Sequence, residues 1–427
     1  MKKTLALFLT LGTSLFLHAQ QVEQCATMSV YHQQMQNPQT AASMQQAQSA
    51  ARAWLVQHPN VGHERATLVI TVPVVVHVVY ITPAQNISDQ QIYSQIAILN
   101  QDYRRLNVDT INTPTVFDSI AADIGIEFCL ATLDPNGNPT NGITRTSSTG
   151  GSFGAFFNPL TEDVKSNATG GIDPWPTNQY LNIWVCNLFP GLLGYAQFPG
   201  GAPATDGVTI TYTAFGNMGT VVAPSLFGRT ASHECGHWFG LFHIWGDDTD
   251  CTTGSDSIPD TPNASSASAS DCNVNLNSCS NEDPYWGTFD PNDMVQNYMD
   301  YSHDSCMNMF TLGQKARMMS FLFTDSSRFA LFSSPAGCNP AGVHDFSFDQ
   351  FFQLYPNPTN GEVLISYFGK WSSEMSMEII DIAGRTVMAK QVNVYNYSID
   401  LGTLPSGIYT IRFIGDGGVA MKKIVKQ

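Results

Sequence analysis

Positive charge is scarce in this 427-residue chain: 19 Lys and Arg stand against 35 Asp and Glu, a net charge of −16. So few cations exclude an extended phosphate-binding surface and make nucleic acid a poor candidate partner. Charge of either sign is thin, at 13% of residues, which leaves Asn, Gln, Ser and Thr to solvate the surface. Long apolar runs are missing as well. The stretch from Leu5 to Leu17 falls short of the roughly 20 residues a membrane-spanning helix needs. Thr71 to Tyr80 is shorter still and β-branched, the pattern of a strand buried on both faces. No transmembrane anchor is expected, and no internal repeat covers the chain.

What is present starts at the N-terminus. Lys2 and Lys3 precede the Leu5–Leu17 run, and Leu17-His18-Ala19 offers small residues for cleavage, so residues 1–19 read as a signal peptide. Export through the periplasm, and a compartment that permits disulfides, follow. Nine cysteines is an odd number, so at least one thiol stays out of any disulfide framework. Cys251, Cys272, Cys279 and Cys306 bracket a loop-rich segment, where cross-links stabilise most. The pairing of Cys129, Cys186, Cys235 and Cys338 is open.

Histidine is rare too, with 10 in the chain, which makes one cluster informative. His233-Glu-Cys-Gly-His237-Trp-Phe-Gly240-Leu-Phe-His243 matches H-E-x-x-H-x-x-G-x-x-H at every fixed position. Four residues apart on a helix, His233 and His237 project from one face toward a single zinc ion. Gly240 lets the helix stop and turn, so that His243 supplies a third nitrogen. Three neutral imidazoles leave a fourth tetrahedral position for water, as a catalytic site requires. Glu234 stands beside it as the proton acceptor. An incidental helix with histidines on it is the weaker reading. The second functional reading, from another class, is an exported surface-binding protein whose zinc site is inert or structural.

The organisation is α+β. Residues 20–51, rich in Gln, Ala, Ser and Met, read as a helical or loosely ordered pro-segment. Residues 52–333 form the main unit: the strand to Tyr80, a helix capped by Ser88 and Gln91, strands at Ile124–Leu133, Tyr180–Leu188 and Val208–Thr213, a helix over 229–240, then a loop-rich lower half closed by a helix from Thr311 to Phe323. Pro335, Gly337, Pro340 and Gly342 mark a linker over 334–351. From 352 to 427, five short alternating strands predict a small antiparallel β-sandwich.

Beyond the zinc motif, Asn297-Tyr-Met299-Asp-Tyr301 has the form of a methionine turn, an apolar floor beneath the three histidines. Tyr301 could place a phenol against an oxyanion. These segments, with Cys251…Asp256-Ser-Ile-Pro-Asp260-Thr261 and Tyr301-Ser-His-Asp304-Ser-Cys306, resemble the pappalysin family of metzincin metalloproteases over roughly residues 65–325. The resemblance implies a metzincin-like catalytic domain made as a zymogen, and disulfides Cys251–Cys279 and Cys272–Cys306. It implies calcium at Asp256 and Thr261, whose oxygens suit a hard cation. Asp304 becomes the floor of a pocket that selects Arg or Lys after the scissile bond, at P1′. Gly194, Tyr195 and Ala196 become the edge strand that binds extended substrate. Cys25 becomes the pro-segment thiol that occupies the fourth zinc position, although Ala26 and Glu23 stand where the family has Gly and Arg. Leu354-Tyr-Pro-Asn-Pro358, Asp381-Ile-Ala-Gly-Arg385, Leu404-Pro-Ser-Gly-Ile-Tyr409 and the terminal Lys422–Lys426 resemble the sorting domain of type IX secretion. That implies outer-membrane secretion machinery as a partner, with a secreted or cell-surface destination. Protein or peptide substrates are the other expected partners.

Overall fold

The computed structural model describes residues 24–63, 69–154, 160–247, 251, 255–268, 272–280, 285–338, 352–367, 375–392, 396–415 and 418–427. The expected signal peptide over 1–19 lies outside these residues. Helices α1 (Thr27–Met35) and α2 (Pro38–Gln57) come first. Asn37 starts α2, its side chain accepting the N–H groups of Gln39 and Thr40, with Pro38 at the first helical position. Then follow β1 (Ile70–Tyr80), α3 (Asp89–Tyr103), β2 (Ile126–Leu130), β3 (Ile143–Ser147), β4 (Leu181–Cys186), β5 (Gly194–Ala196), β6 (Val208–Thr211), α4 (Arg229–Trp238), α5 (Leu312–Thr324) and α6 (Ser326–Ala330).

The sheet runs β2-β1-β4-β6-β5, with β3 also on β1. All pairs are parallel except β5, which lies antiparallel to β6 at the edge. β1 is central: its first half pairs β2 and its second half β3 on one side, while β4 covers the other. Its Val-rich run, interrupted by Thr71, Pro73 and His77, is therefore buried on both faces, as parallel strands require. β3 was not foreseen; Thr144, Arg145 and Thr146 give it no apolar alternation. Helix α3 backs the sheet, capped by Ser88 as expected, and its Tyr103 hydroxyl donates to the Ser232 carbonyl of α4 at 3.1 Å. One buried ion pair ties the far end of α4 to α6. Arg328 donates to Asp206, which also accepts from Trp238 Nε1 at 3.0 Å, and the guanidinium lies 3.6 Å from the Trp238 ring centroid.

Two expected boundaries fall within continuous structure. The division at 51/52 falls inside α2, which continues because Ala51 and Trp54 are buried and Trp54 stacks on Phe323 of α5 at 5.4 Å. One tryptophan anchors a segment whose composition had hidden its packing. The first residues of the linker expected over 334–351 pack on the catalytic unit. Ala336 is buried, its carbonyl accepts from Thr132 and Leu133, and Cys338 is disulfide-bonded to Cys129 of β2. Residues 339–351 lie outside the described ones. Cys251–Cys279 and Cys272–Cys306 cross-link the lower half, and Cys25, Cys186 and Cys235 are free and buried.

The C-terminal unit has two antiparallel sheets. One is β10 (Thr386–Val392), β9 (Met375–Asp381), β12 (Gly407–Gly415) and β13 (Gly418–Lys426); the other is β11 (Asn396–Asp400), β8 (Glu362–Tyr367) and β7 (Phe352–Tyr355). Phe352 of β7 stacks on Phe413 of β12 at 3.9 Å, joining the two sheets across a core of Val363, Ile365, Met377, Ile379 and Ile411. The strands missed in the sequence are β7, which is too short, and β13, where Lys422-Lys423 interrupts the alternation.

The Arg328–Asp206 pair is dry, so removing one partner strands a buried charge. Arg328→Met is expected to destabilise the catalytic unit by about 3–5 kcal/mol in urea unfolding. Asp118→Asn, at an exposed pair with Arg105, should cost less than about 1 kcal/mol. Equal effects would contradict this.

Candidate active site

Helix α4 stops at Trp238, two residues before the predicted end, and Gly240 follows with φ +96°. That angle suits glycine alone, and a Cβ there would lie 2.2 Å from Phe321. The chain turns, and His243 comes back beneath His233 and His237. Their three Nε2 atoms stand 3.1–3.2 Å apart, close to the edge of about 3.3 Å for a tetrahedron with metal–nitrogen bonds of about 2.0–2.1 Å. Each Nδ1 is committed elsewhere: His233 to the Tyr298 carbonyl and His237 to the Leu241 carbonyl, both at 2.7 Å, and His243 to the Asp247 carboxylate. Those acceptors carry no proton, so each Nδ1 must be the donor and each Nε2 offers a lone pair. Burial, then the facing His243, pushes His233 down to about 3 and His237 well below its ordinary value. Neutral, converging lone pairs fit zinc.

The predicted residues gather here. Met299 is fully buried under α4, where a Cβ on Gly236 would meet its sulfur at 2.4 Å. Cys25 joins the three histidines, its Sγ and their nitrogens all within 4.8 Å of one another, the one such group of His, Cys, Asp or Glu among the described residues. The same thiol donates to Glu234 Oε2 at 3.4 Å, and burial, then the Glu234 charge, pushes it well up. Tyr301 stands edge-on to both His243 and Trp245 and donates to the Cys25 carbonyl at 3.1 Å.

Residues 24–26 lie along the edge strand. Leu193 N–H donates to the Gln24 carbonyl at 2.8 Å, and Ala26 N–H to the Gly194 carbonyl at 3.0 Å. Cys25 bridges Gly194 in parallel sense. Of Gly194, Tyr195 and Ala196, the backbone faces this segment. The Tyr195 side chain is buried in one apolar cluster with Ala26 and Val30, 4.8 Å from the Lys165 ammonium.

Asp304 lines one cleft with Cys25, Arg229, His233, Glu234 and Tyr301. Its Oδ2 accepts the N–H groups of Phe227 at 3.0 Å and Arg229 at 3.1 Å, and burial raises its pKa against these contacts. Asp256 and Thr261 stand apart from the histidines' group. The Asp256 carboxylate accepts the Ile258 N–H at 2.9 Å and the Thr261 hydroxyl at 2.7 Å, and burial pushes it up to about 8.

Sequence reading missed three contributors. Thr27 Oγ1 lies 3.1 Å from Glu234 Oε2 and accepts the Ala196 N–H at 2.8 Å, spanning the glutamate and the edge strand. Trp245 stacks flat on His243 at 4.3 Å. Asp247 holds the His243 ring; an acidic residue four after the last histidine was the available signal. Removing it, as Asp247→Ala, should weaken zinc binding about 10–100-fold in competition with a chromogenic chelator. Unchanged affinity would show that Asp247 has no such part.

The comparisons with known proteins agree with this geometry. The family model described as pregnancy-associated plasma protein-A matches residues 165–323, and that of the secretion system C-terminal sorting domain matches residues 353–427. An extracellular metalloprotease of Pyricularia oryzae is 32% identical over 263 residues, covering 59% of this chain and 74% of that protein. Mature mirolysin of Tannerella forsythia, solved in complex with a cleaved peptide, is 48% identical with a TM-score of 0.56, over 62% of this chain and 96% of that one. A mutant of promirolysin from the same organism aligns at 41% identity and TM-score 0.62, over 74% of this chain and all of the other.

Proposed function

This chain belongs to the pappalysin family as an extracellular zinc metalloendopeptidase, and from that premise we propose that it is a latched zymogen cutting proteins before Arg or Lys. It is a secreted or cell-surface protein bearing a type IX sorting domain, and among the described residues no helix is long and apolar enough to cross a membrane. The observation that carries the reading is the convergence of three Nε2 atoms beside Glu234 at the edge strand of a sheet.

His233, His237 and His243 hold the zinc. When bound, zinc polarises the scissile carbonyl and lowers the pKa of water. Glu234 takes a proton from the attacking water at Oε2 and returns it to the leaving amine. Tyr301, whose hydroxyl donates to a backbone carbonyl in the zymogen, donates to the oxyanion of a substrate carbonyl at the same place. The backbone of Gly194–Ala196 takes substrate as an added strand, Met299 supports the imidazoles, and Asp304 receives a basic P1′ side chain. Asp256 and Thr261 belong to a calcium site in the lower half.

Latency comes from residues 20–51 of the N-terminal segment. Cys25 would hold the metal beside the three histidines, and Thr27 and the residue 24–26 backbone occupy Glu234 and the edge strand. Removal of this segment, of the signal over 1–19 and of the sorting unit over 352–427 leaves the catalytic unit over 52–333; the secretion machinery is the partner of the sorting unit.

Two outcomes are expected with a fluorogenic peptide. Glu234→Ala should lower kcat about 10²–10⁴-fold with zinc content intact; wild-type turnover would refute the mechanism. In the precursor, Cys25→Ala should raise the initial rate and Cys25→Ala with Thr27→Ala should raise it further. Equal rates would deny Thr27 its part in latency.

A further inference from the structure

Arg229, the first residue of α4, stands where three parts of the catalytic unit meet. Its guanidinium pairs with Asp102 of α3 and donates to both oxygens of Asp109, at 3.1 and 2.9 Å, and to the Tyr298 hydroxyl at 2.9 Å. Its backbone N–H donates to Asp304 Oδ2 at 3.1 Å. Arg229 and Asp304 line the same cleft. A cation in the wall of a pocket read as accepting Arg or Lys works against that selection, since like charges disfavour one another across a dry site. Nothing in the mechanism calls for it.

The wall answers the cation with two carboxylates. Asp102 is fully buried, and the Asp109 side chain is 20% exposed. Asp304, which meets the Arg229 backbone N–H rather than its guanidinium, adds a third carboxylate to two that pair with the cation, and the surplus is negative. Geometry reinforces the charge balance. Held from α3 and from the segment around Asp109, Arg229 fixes the start of α4, where its own N–H and that of Phe227 just before the helix hold Asp304. Through Tyr298 it also touches the turn whose carbonyl orients His233.

We propose that Asp102 and Asp109, acting through Arg229, set the charge preference of the P1′ pocket: they neutralise its cationic wall and let Asp304 present net negative charge to a basic side chain. They are positioning residues and touch no substrate. The proposal rests on the reading of Asp304 as the P1′ floor.

Asp109 is the member to test, because it is partly exposed and its replacement opens no core. Asp109→Asn keeps the shape and removes the charge; Asp109→Glu restores the charge. Two matched peptides, with Arg or Leu at P1′, are assayed with the full chain after activation, and kcat/KM is compared. The Arg-to-Leu ratio is expected to fall about tenfold in Asp109→Asn, chiefly through KM for the Arg peptide, and to recover in Asp109→Glu. A ratio unchanged from wild type in Asp109→Asn, with both peptides slowed alike, would overturn the proposal and leave Asp109 a structural support. A wild-type ratio near one would remove the P1′ reading itself, and this inference with it. Should Asp109→Asn fail to fold, wild-type ratios at low and high salt serve instead: a ratio insensitive to salt would contradict a charge-set preference.

Discussion

Three imidazole lone pairs held 3.1–3.2 Å apart in a dry pocket repel one another unless a cation lies among them. The catalytic unit is built to enforce that arrangement. Two backbone carbonyls and the Asp247 carboxylate take the outer protons, and Gly240 bends the chain to deliver the third ring. Met299 fills the space beneath the helix. The Tyr298 carbonyl comes from the lower half and the Leu241 carbonyl from the turn, so both parts of the unit are tied to the metal position. Binding of zinc therefore acts on the stability of the whole unit, since ligands that bind only the folded form draw the equilibrium toward it.

The same geometry explains latency without extra machinery. An extended segment on an edge strand supplies backbone hydrogen bonds of the kind a substrate would use, and residues 24–26 make them with Leu193 and Gly194. The Cys25 thiol lies beside the three imidazoles and Glu234, and the Thr27 hydroxyl reaches the same glutamate. Packing of Trp54 against Phe323 secures this arrangement from about 30 residues further along the chain, through a helix rather than through the cleft.

Much of this was legible in the sequence, for a physical reason. His233, His237 and His243 are fixed by helical spacing and one glycine, and β1 by a run too apolar to be anything but central. Thr27 was not legible, because its role depends on contacts across more than 160 residues of chain, and Asp247 left only its spacing from His243 as a signal, its orientation depending on a backbone angle. Asp247 has φ +60°, which spacing cannot reveal. The Cys129–Cys338 bridge, 209 residues apart, was equally out of reach. β3 and β13 were missed because their polar residues follow partner strands rather than alternation. That α2 runs on past residue 51 was not legible, because Met44, Ala51 and Trp54 are the few buried residues in a helix otherwise rich in Gln, Ala and Ser.

The most direct test of the zinc site and its latch is X-ray absorption at the zinc edge on the intact precursor. The account predicts three nitrogen ligands at about 2.0–2.1 Å and one sulfur at about 2.3 Å, with the sulfur lost in Cys25→Ala. A wild-type first shell of nitrogen and oxygen alone would contradict the thiol latch, and absence of bound zinc would contradict the metal site on which everything else depends.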